Sequence, residues 1–191
     1  MKIVIYEERS YENKVIEEYK KNPELEIITT SETLNENTLN LLKGVDAVST
    51  LGYSVLDKKL LDKIKEYGVK YLSTRTIGYN HYDVKYAKEI GLKVSNVTYA
   101  PNGVADFTVM LMLIAIRKYK PAMWRQNVND YTLNGLMGKE MRHLTVGVMG
   151  TGRIGAAVIK NLSGFGCKIL AYDVYKNDSI KELVQYVELD E

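Results

Sequence analysis

One cysteine, two histidines and three prolines among 191 residues leave little room for several kinds of chemistry. Cys167 alone cannot close an intrachain disulfide; between Gly166 and an apolar run it reads as a small buried residue in a reducing compartment, not as a nucleophile. With only His81 and His143 beside it, the ligand spacing of a zinc site cannot be assembled, and no metal is expected. An excess of one charge is also lacking. The 26 Lys and Arg against 24 Asp and Glu give +2, dispersed along the chain, which offers no footprint for nucleic acid. The longest apolar run, Phe107 to Ile116, falls short of the ~20 residues that cross a bilayer, so no membrane partner is expected. The opening segment, Met1 to Arg9, turns charged too early for a signal peptide, and the expected location is cytoplasmic.

What is present is an ordinary soluble composition, 46% hydrophobic and 26% charged, and within it one informative run. The apolar strand Val146-Gly147-Val148-Met149 leads directly into Gly150-Thr151-Gly152-Arg153-Ile154-Gly155, a helix-period segment follows, and a second strand, Ile169 to Tyr172, ends at Asp173. In a dinucleotide-binding turn the first glycine permits the tight exit from the strand, the second admits the pyrophosphate against the backbone, and the third lets helix and strand pack closely. The helix start offers free N–H groups to the phosphates. Asp173, 23 residues after Gly150, stands where a carboxylate accepts the adenosine ribose hydroxyls and repels a 2′-phosphate. NAD is therefore expected over NADP, with Lys176 the one nearby cation that argues the other way.

Upstream, β-type and helix-type runs alternate. Strands are predicted at Ile3 to Ile5, Leu25 to Thr29, Val45 to Thr50, Val69 to Ser73 and Leu92 to Asn96. Helices are predicted through Tyr11 to Tyr19, through Leu39 to Leu42 with Gly44 as its stop, through Leu56 to Ile64, and from Val84 to Ile90. This alternation predicts a flavodoxin-like, doubly wound parallel sheet over residues 1–100, covered on both faces. A helix from Gly103 to Lys118 is apolar on two faces and is expected to be buried between elements, with Pro121 after it and a polar connection from Gln126 to Arg142. Residues 101–143 are thus read as a hinge helix and connection, and a cleft between two α/β units is the expected place for a substrate. Residues 144–191 supply about two strands and two helices, less than one mononucleotide half of a Rossmann domain.

Ligands of open α/β sheets bind beyond the carboxyl ends of the strands, which directs attention to Thr74-Arg75-Thr76-Ile77-Gly78-Tyr79-Asn80-His81. The amides of Ile77 and Gly78 are candidate carboxylate donors. The plain alternative is a turn glycine with Arg75 in a surface pair. His81 is read as a structural hydrogen-bonding histidine, and His143 lies at the amino end of a strand, away from any expected chemistry. Tyr99 and Tyr53 are possible pocket walls.

Four stretches together, Ser73 to His81 with Asp83, Asn96 to Asp106, Thr145 to Gly155, and Gly164 to Lys168, resemble the D-isomer-specific 2-hydroxyacid dehydrogenase family. Within it they are most similar to the D-lactate dehydrogenases of the vancomycin-resistance type. The resemblance implies a substrate domain followed by a truncated Rossmann NAD domain. By the same resemblance, Ile77 and Gly78 bind the 2-oxoacid carboxylate and Tyr99 lines its pocket. Gly150, Gly152, Arg153, Ile154, Gly155 and Asp173 hold NAD, and the hinge and cofactor regions form a homodimer in the full-length protein. The Arg, Glu and His that act on the substrate in this family have no counterpart among these residues and are expected beyond Glu191. The chain is accordingly expected to be an N-terminal portion of a dehydrogenase, inactive by itself. A branched-chain 2-oxoacid as substrate, or an NAD-sensing protein of the same fold, are the alternatives.

Overall fold

A computed structural model describes residues 1–190, which separate into one unit over Met1–Tyr99 and a second from Ala100 onward. Glu191, the end of the expected 144–191 segment and the residue beyond which the catalytic groups are expected, lies outside the described residues. In the first unit, short strands β1 (Lys2–Ile5), β2 (Glu26–Thr29), β3 (Ala47–Thr50), β4 (Tyr71–Thr74) and β5 (Lys93–Asn96) alternate with helices α1 (Asn13–Lys20), α2 (Lys58–Glu66) and α3 (Val84–Glu89). All pairings are parallel in the order β2-β1-β3-β4-β5, the flavodoxin-like arrangement expected of the alternating pattern. Successive side chains of a strand point to opposite faces. Val4, Val48 and Leu72 accordingly share one face with Leu60, Leu61 and Ile64 of α2 and Ala87 of α3, forming a continuous buried core. Asp57 and Asp83 fix the starts of α2 and α3 by accepting the Leu60 and Tyr86 amides at 2.9 and 3.0 Å.

Two expectations for this unit are corrected. The segment Leu39–Leu42 is a single 3-10 turn, not an α-helix. Leu39 and Leu42, three apart, both bury their side chains, and Lys43 is already extended, so one turn is all the burial requires. The sheet is also covered less evenly than its alternation suggests. α1 lies over Ile3, Ile5 and Ile27, while Ala47, Ser49, Tyr71, Ser73 and Lys93 face an open groove of about 300 Å3.

The second unit contains α4 (Asn102–Ile116), α5 (Tyr119–Gln126), β6 (Thr145–Met149), α6 (Arg153–Ser163), β7 (Lys168–Tyr172) and β8 (Gln185–Tyr186). Its strands pair in parallel in the order β6-β7-β8. α4 packs on α6 through Ala105 and Val109 against Ile159 and Leu162, and Asn161 donates to Asp106 across the pair at 2.8 Å. The expected burial of α4 between elements is overturned: Phe107, Met110 and Leu111 are 57%, 43% and 48% exposed. α5 is not expected from the sequence because it contains Pro121. The proline lies in the first turn, where its missing N–H has no helical partner to lose. The last segment has three strands instead of two, and its second helix is a 3-10 stretch, Asp178–Leu183. Among the described residues no helix is long and apolar enough to cross a membrane.

Candidate functional site

The candidate residues fall into two groups, one in each unit. In the second unit, β6 delivers the chain to Gly150 at φ +91, a left-handed conformation that disfavours any other residue. Gly152 caps α6, and Arg153, Ile154 and Gly155 form the helix's first turn. Gly155 abuts the turn it follows. A Cβ placed there would lie 1.9 Å from the Gly150 carbonyl oxygen, whereas one at Gly152 would meet nothing within 4 Å. The third glycine thus serves the protein's own packing, and the second leaves open space beside the helix start. Cavities of about 620 and 690 Å3 flank this loop; the first is lined by Gly150 and Gly155, the second by Asn102, Lys160 and Asn177, and both reach Gly152.

Asp173 leaves β7 beside the loop, where one carboxylate oxygen accepts the Thr151 amide at 2.5 Å and the Thr151 hydroxyl at 3.1 Å. Its other oxygen accepts the Tyr175 amide at 3.0 Å. Those donors, Tyr175 first and Thr151 next, hold the carboxyl below the ordinary carboxylate range. Thr151 is almost fully buried and carries further bonds: its carbonyl accepts Asn177 Nδ2 at 2.8 Å, and its hydroxyl oxygen accepts the Tyr186 phenol at 3.2 Å. Sequence reading singles out the acid and the glycines but misses Thr151, Asn177 and Tyr186, which lock the loop from within. No periodicity or spacing marks them. The cation Lys176 is turned over the Tyr186 ring.

In the first unit, the turn after β4 presents Ile77 and Gly78. The Ile77 carbonyl accepts Asn96 Nδ2 at 2.8 Å and the Gly78 carbonyl accepts the Thr76 hydroxyl at 2.6 Å. Neither amide donates to any group of the described residues. Arg75 faces away from this turn. Its guanidinium bonds Glu12 at 2.7 Å and the Tyr6 carbonyl at 3.0 Å, tying the loop after β1 to β4. His81 is committed too, its Nε2 3.1 Å from Thr74 Oγ1, and His143 is exposed immediately before β6. Tyr99 ends the first unit, about half exposed, and Tyr53 is exposed with Arg9 5.4 Å above its ring.

The loop after β1 holds the feature least visible in the sequence. Glu7 is fully buried at φ +58, and its carboxylate accepts the amides of Leu51 and Tyr53 at 3.1 Å each and of Ser54 at 2.8 Å, together with the Ser54 hydroxyl. Beside it, Tyr82 bonds Thr50 at 2.8 Å, and burial pushes its phenol up to about 12.

Comparison with known proteins places these features in a common setting. A model of the D-isomer specific 2-hydroxyacid dehydrogenase catalytic domain matches residues 3–187. The chain is 46% identical over 162 residues to an aromatic 2-oxoacid reductase of Clostridium sporogenes, covering 84% of this chain and 49% of that protein. It is 41% identical over 172 residues to a D-specific alpha-keto acid dehydrogenase of Enterococcus faecalis, covering 89% and 52%. Among solved structures, D-lactate dehydrogenase from Aquifex aeolicus, complexed with NAD and lactic acid, superposes with a TM-score of 0.89 at 29% identity over 98% of this chain and 56% of that one. The chain spans about half the length of the curated relatives it matches.

Proposed function

Because this chain belongs to the D-isomer specific 2-hydroxyacid dehydrogenase family, we propose that the protein is an NAD-dependent D-2-hydroxyacid dehydrogenase, interconverting a 2-oxoacid such as pyruvate and its D-2-hydroxyacid. Residues 1–100 act as the substrate domain, 101–143 as hinge helix and connection, and 144–191 as part of the NAD domain. The amides of Ile77 and Gly78 take the substrate carboxylate, and Tyr99 lines its pocket. The observation that carries this reading is that both amides lack any acceptor among the described residues while their carbonyls are held. Ile77 is half-buried and Gly78 exposed, so both amides are open to a ligand or to water.

The glycine loop fits NAD, since the space at Gly152 is open and Gly150 and Gly155 make the close turn. Gly150, Gly152, Arg153, Ile154 and Gly155 would hold its pyrophosphate at the α6 start, and Asp173 its adenosine ribose. Bound NAD would carry the hydride exchanged with C2 of the substrate. A carboxylate already ionised and fixed by Thr151 and Tyr175 retains lone pairs for ribose hydroxyls and opposes a 2′-phosphate.

Neither histidine is available as proton donor, His81 being engaged with Thr74 and His143 lying at the amino end of β6. The residues through Glu191 alone should therefore bind NADH without turning over pyruvate. Fluorescence titration with NADH and NADPH, paired with an assay of NADH consumption, tests both halves. Pyruvate-dependent oxidation that is lost on His81→Phe while oxamate affinity is unchanged would reverse the assignment and make His81 the proton carrier.

The similarity to an aromatic 2-oxoacid reductase supports a second reading in which the oxoacid carries an aromatic side chain. Parallel titrations with pyruvate and phenylpyruvate separate the two. The protein is further read as cytoplasmic and, at full length, as a homodimer, and the exposed apolar face of α4 supports the second of these.

A further inference from the structure

We infer that Thr76, Asn96 and His81 are positioning residues that set three consecutive amides, those of Ile77, Gly78 and Tyr79, as one carboxylate cradle. The inference rests on the reading that this turn binds the substrate carboxylate, and adds Tyr79 as a third donor.

In a trans peptide the N–H and the C=O of one plane point in opposite directions. Three successive carbonyls of this turn are held by protein donors: Thr76 by the Val97 amide at 3.3 Å, Ile77 by Asn96 Nδ2 at 2.8 Å, and Gly78 by the Thr76 hydroxyl at 2.6 Å. The N–H groups of the same three planes belong to Ile77, Gly78 and Tyr79. Each is thereby turned away from its anchor, and among the described residues none donates to a protein acceptor. A row of such amides makes an anion-binding concavity.

Donor bookkeeping extends the device to His81. A hydroxyl has one proton to give. Thr76 gives its own to Gly78, so the 2.7 Å bond between Thr74 and Thr76 uses the proton of Thr74, for which the Leu51 carbonyl at 3.3 Å is the more distant acceptor. Nothing remains on Thr74 to offer His81, and the 3.1 Å contact requires the proton on His81 Nε2. Donation therefore runs one way, from His81 to Thr74 to Thr76 to the Gly78 carbonyl. A histidine that begins such a chain holds the turn's geometry and does not act on substrate.

The test uses the full 191-residue chain labelled with nitrogen-15 and titrated with oxamate, an unreactive mimic of a 2-oxoacid. In the unsubstituted chain, oxamate should shift the amide resonances of Ile77, Gly78 and Tyr79. Thr76→Val should weaken oxamate binding roughly tenfold, the scale of one hydrogen bond to a charged group. Thr76→Ser should restore it, and NADH affinity should stay unchanged in every variant, which general unfolding would not permit. His81→Phe should weaken oxamate in the same direction. Asn96→Ala, at an exposed position, carries the test if Thr76→Val fails to fold. Equal oxamate affinity in Thr76→Val and the unsubstituted chain, with all three resonances still shifting, overturns the positioning role and leaves the carboxylate reading intact. Shifts at Ile77 and Gly78 without Tyr79 remove the third donor. Absence of shifts at all three overturns both.

Discussion

The carboxylate of Glu7 accepts both the amide and the hydroxyl of Ser54, 47 residues further along the chain, in a site closed to solvent. The same carboxylate takes the amides of Leu51 and Tyr53, so a single side chain after β1 fixes the loop after β3. Arg75 completes the tie from β4 by donating to the Tyr6 and Glu7 carbonyls. Three loops at the carboxyl ends of adjacent strands are thereby joined.

Removing that carboxylate strands the amide and hydroxyl of Ser54, which are buried and have no water to turn to. Glu7→Ala should lower unfolding stability by about 2–4 kcal/mol, and Glu7→Gln, which keeps one acceptor oxygen, by less. Urea denaturation of the three proteins checks the order. Unchanged stability in Glu7→Ala would mean that the loop finds other acceptors.

The glycines of the second unit separate binding from folding. Gly155→Ala drives a methyl into the Gly150 carbonyl and should cost ~1–3 kcal/mol as α6 shifts away. Gly152→Ala meets no protein atom and should fold normally, yet fill the space a pyrophosphate would enter. Melting curves and NADH titration, run side by side, should show stability lost in the first variant and NADH affinity lost in the second. Normal NADH affinity in Gly152→Ala would remove the phosphates from this loop.

Tyr6 and Tyr82 should be the last phenols to ionise. Burial is the largest cause in both, and each is pushed up to about 12 from 10.0. A raised folded value means that folding favours the neutral phenol. Their contribution is complete below pH 10 and is lost as the pH rises through 10 toward 12. Absorbance titration of the phenolates should show a late phase coincident with alkaline unfolding, reduced by Tyr6→Phe and by Tyr82→Phe in turn.

The exposed face of α4 should govern association. Phe107→Glu with Leu111→Lys places charge on that face without touching Ala105 or Val109, which pack against α6. Light scattering should report a dimer for the unsubstituted chain and a monomer for the double variant, at equal helical content. A monomer in both would place any dimer contact elsewhere.

Much of this protein is legible in its sequence because the relevant physics is local. The strands other than β8 and most helices follow from periodicity, and the parallel pairing of the first unit follows from their alternation. Gly150 and Gly155 announce a turn that few other residues allow. Where a local rule has an exception the reading fails, as with α5, whose Pro121 sits at a helix start instead of beyond a helix end.

Tertiary structure decided what depends on partners distant in sequence. Thr151 is an ordinary residue between two glycines until Asp173, Asn177 and Tyr186, 22 to 35 residues away, converge on it. Glu7 has the sequence context of a charged surface loop and becomes a buried anchor because amides from another loop surround it. The outward face of α4 is as apolar in sequence as its buried face, since composition records what a side chain prefers and not what lies opposite it. The sequence by itself therefore determined most of the elements, the glycine turn and the family pattern. Only the folded chain determined which carbonyls are held and which amides are left free to meet a ligand, because that is set by hydrogen bonds between segments that no local pattern brings together.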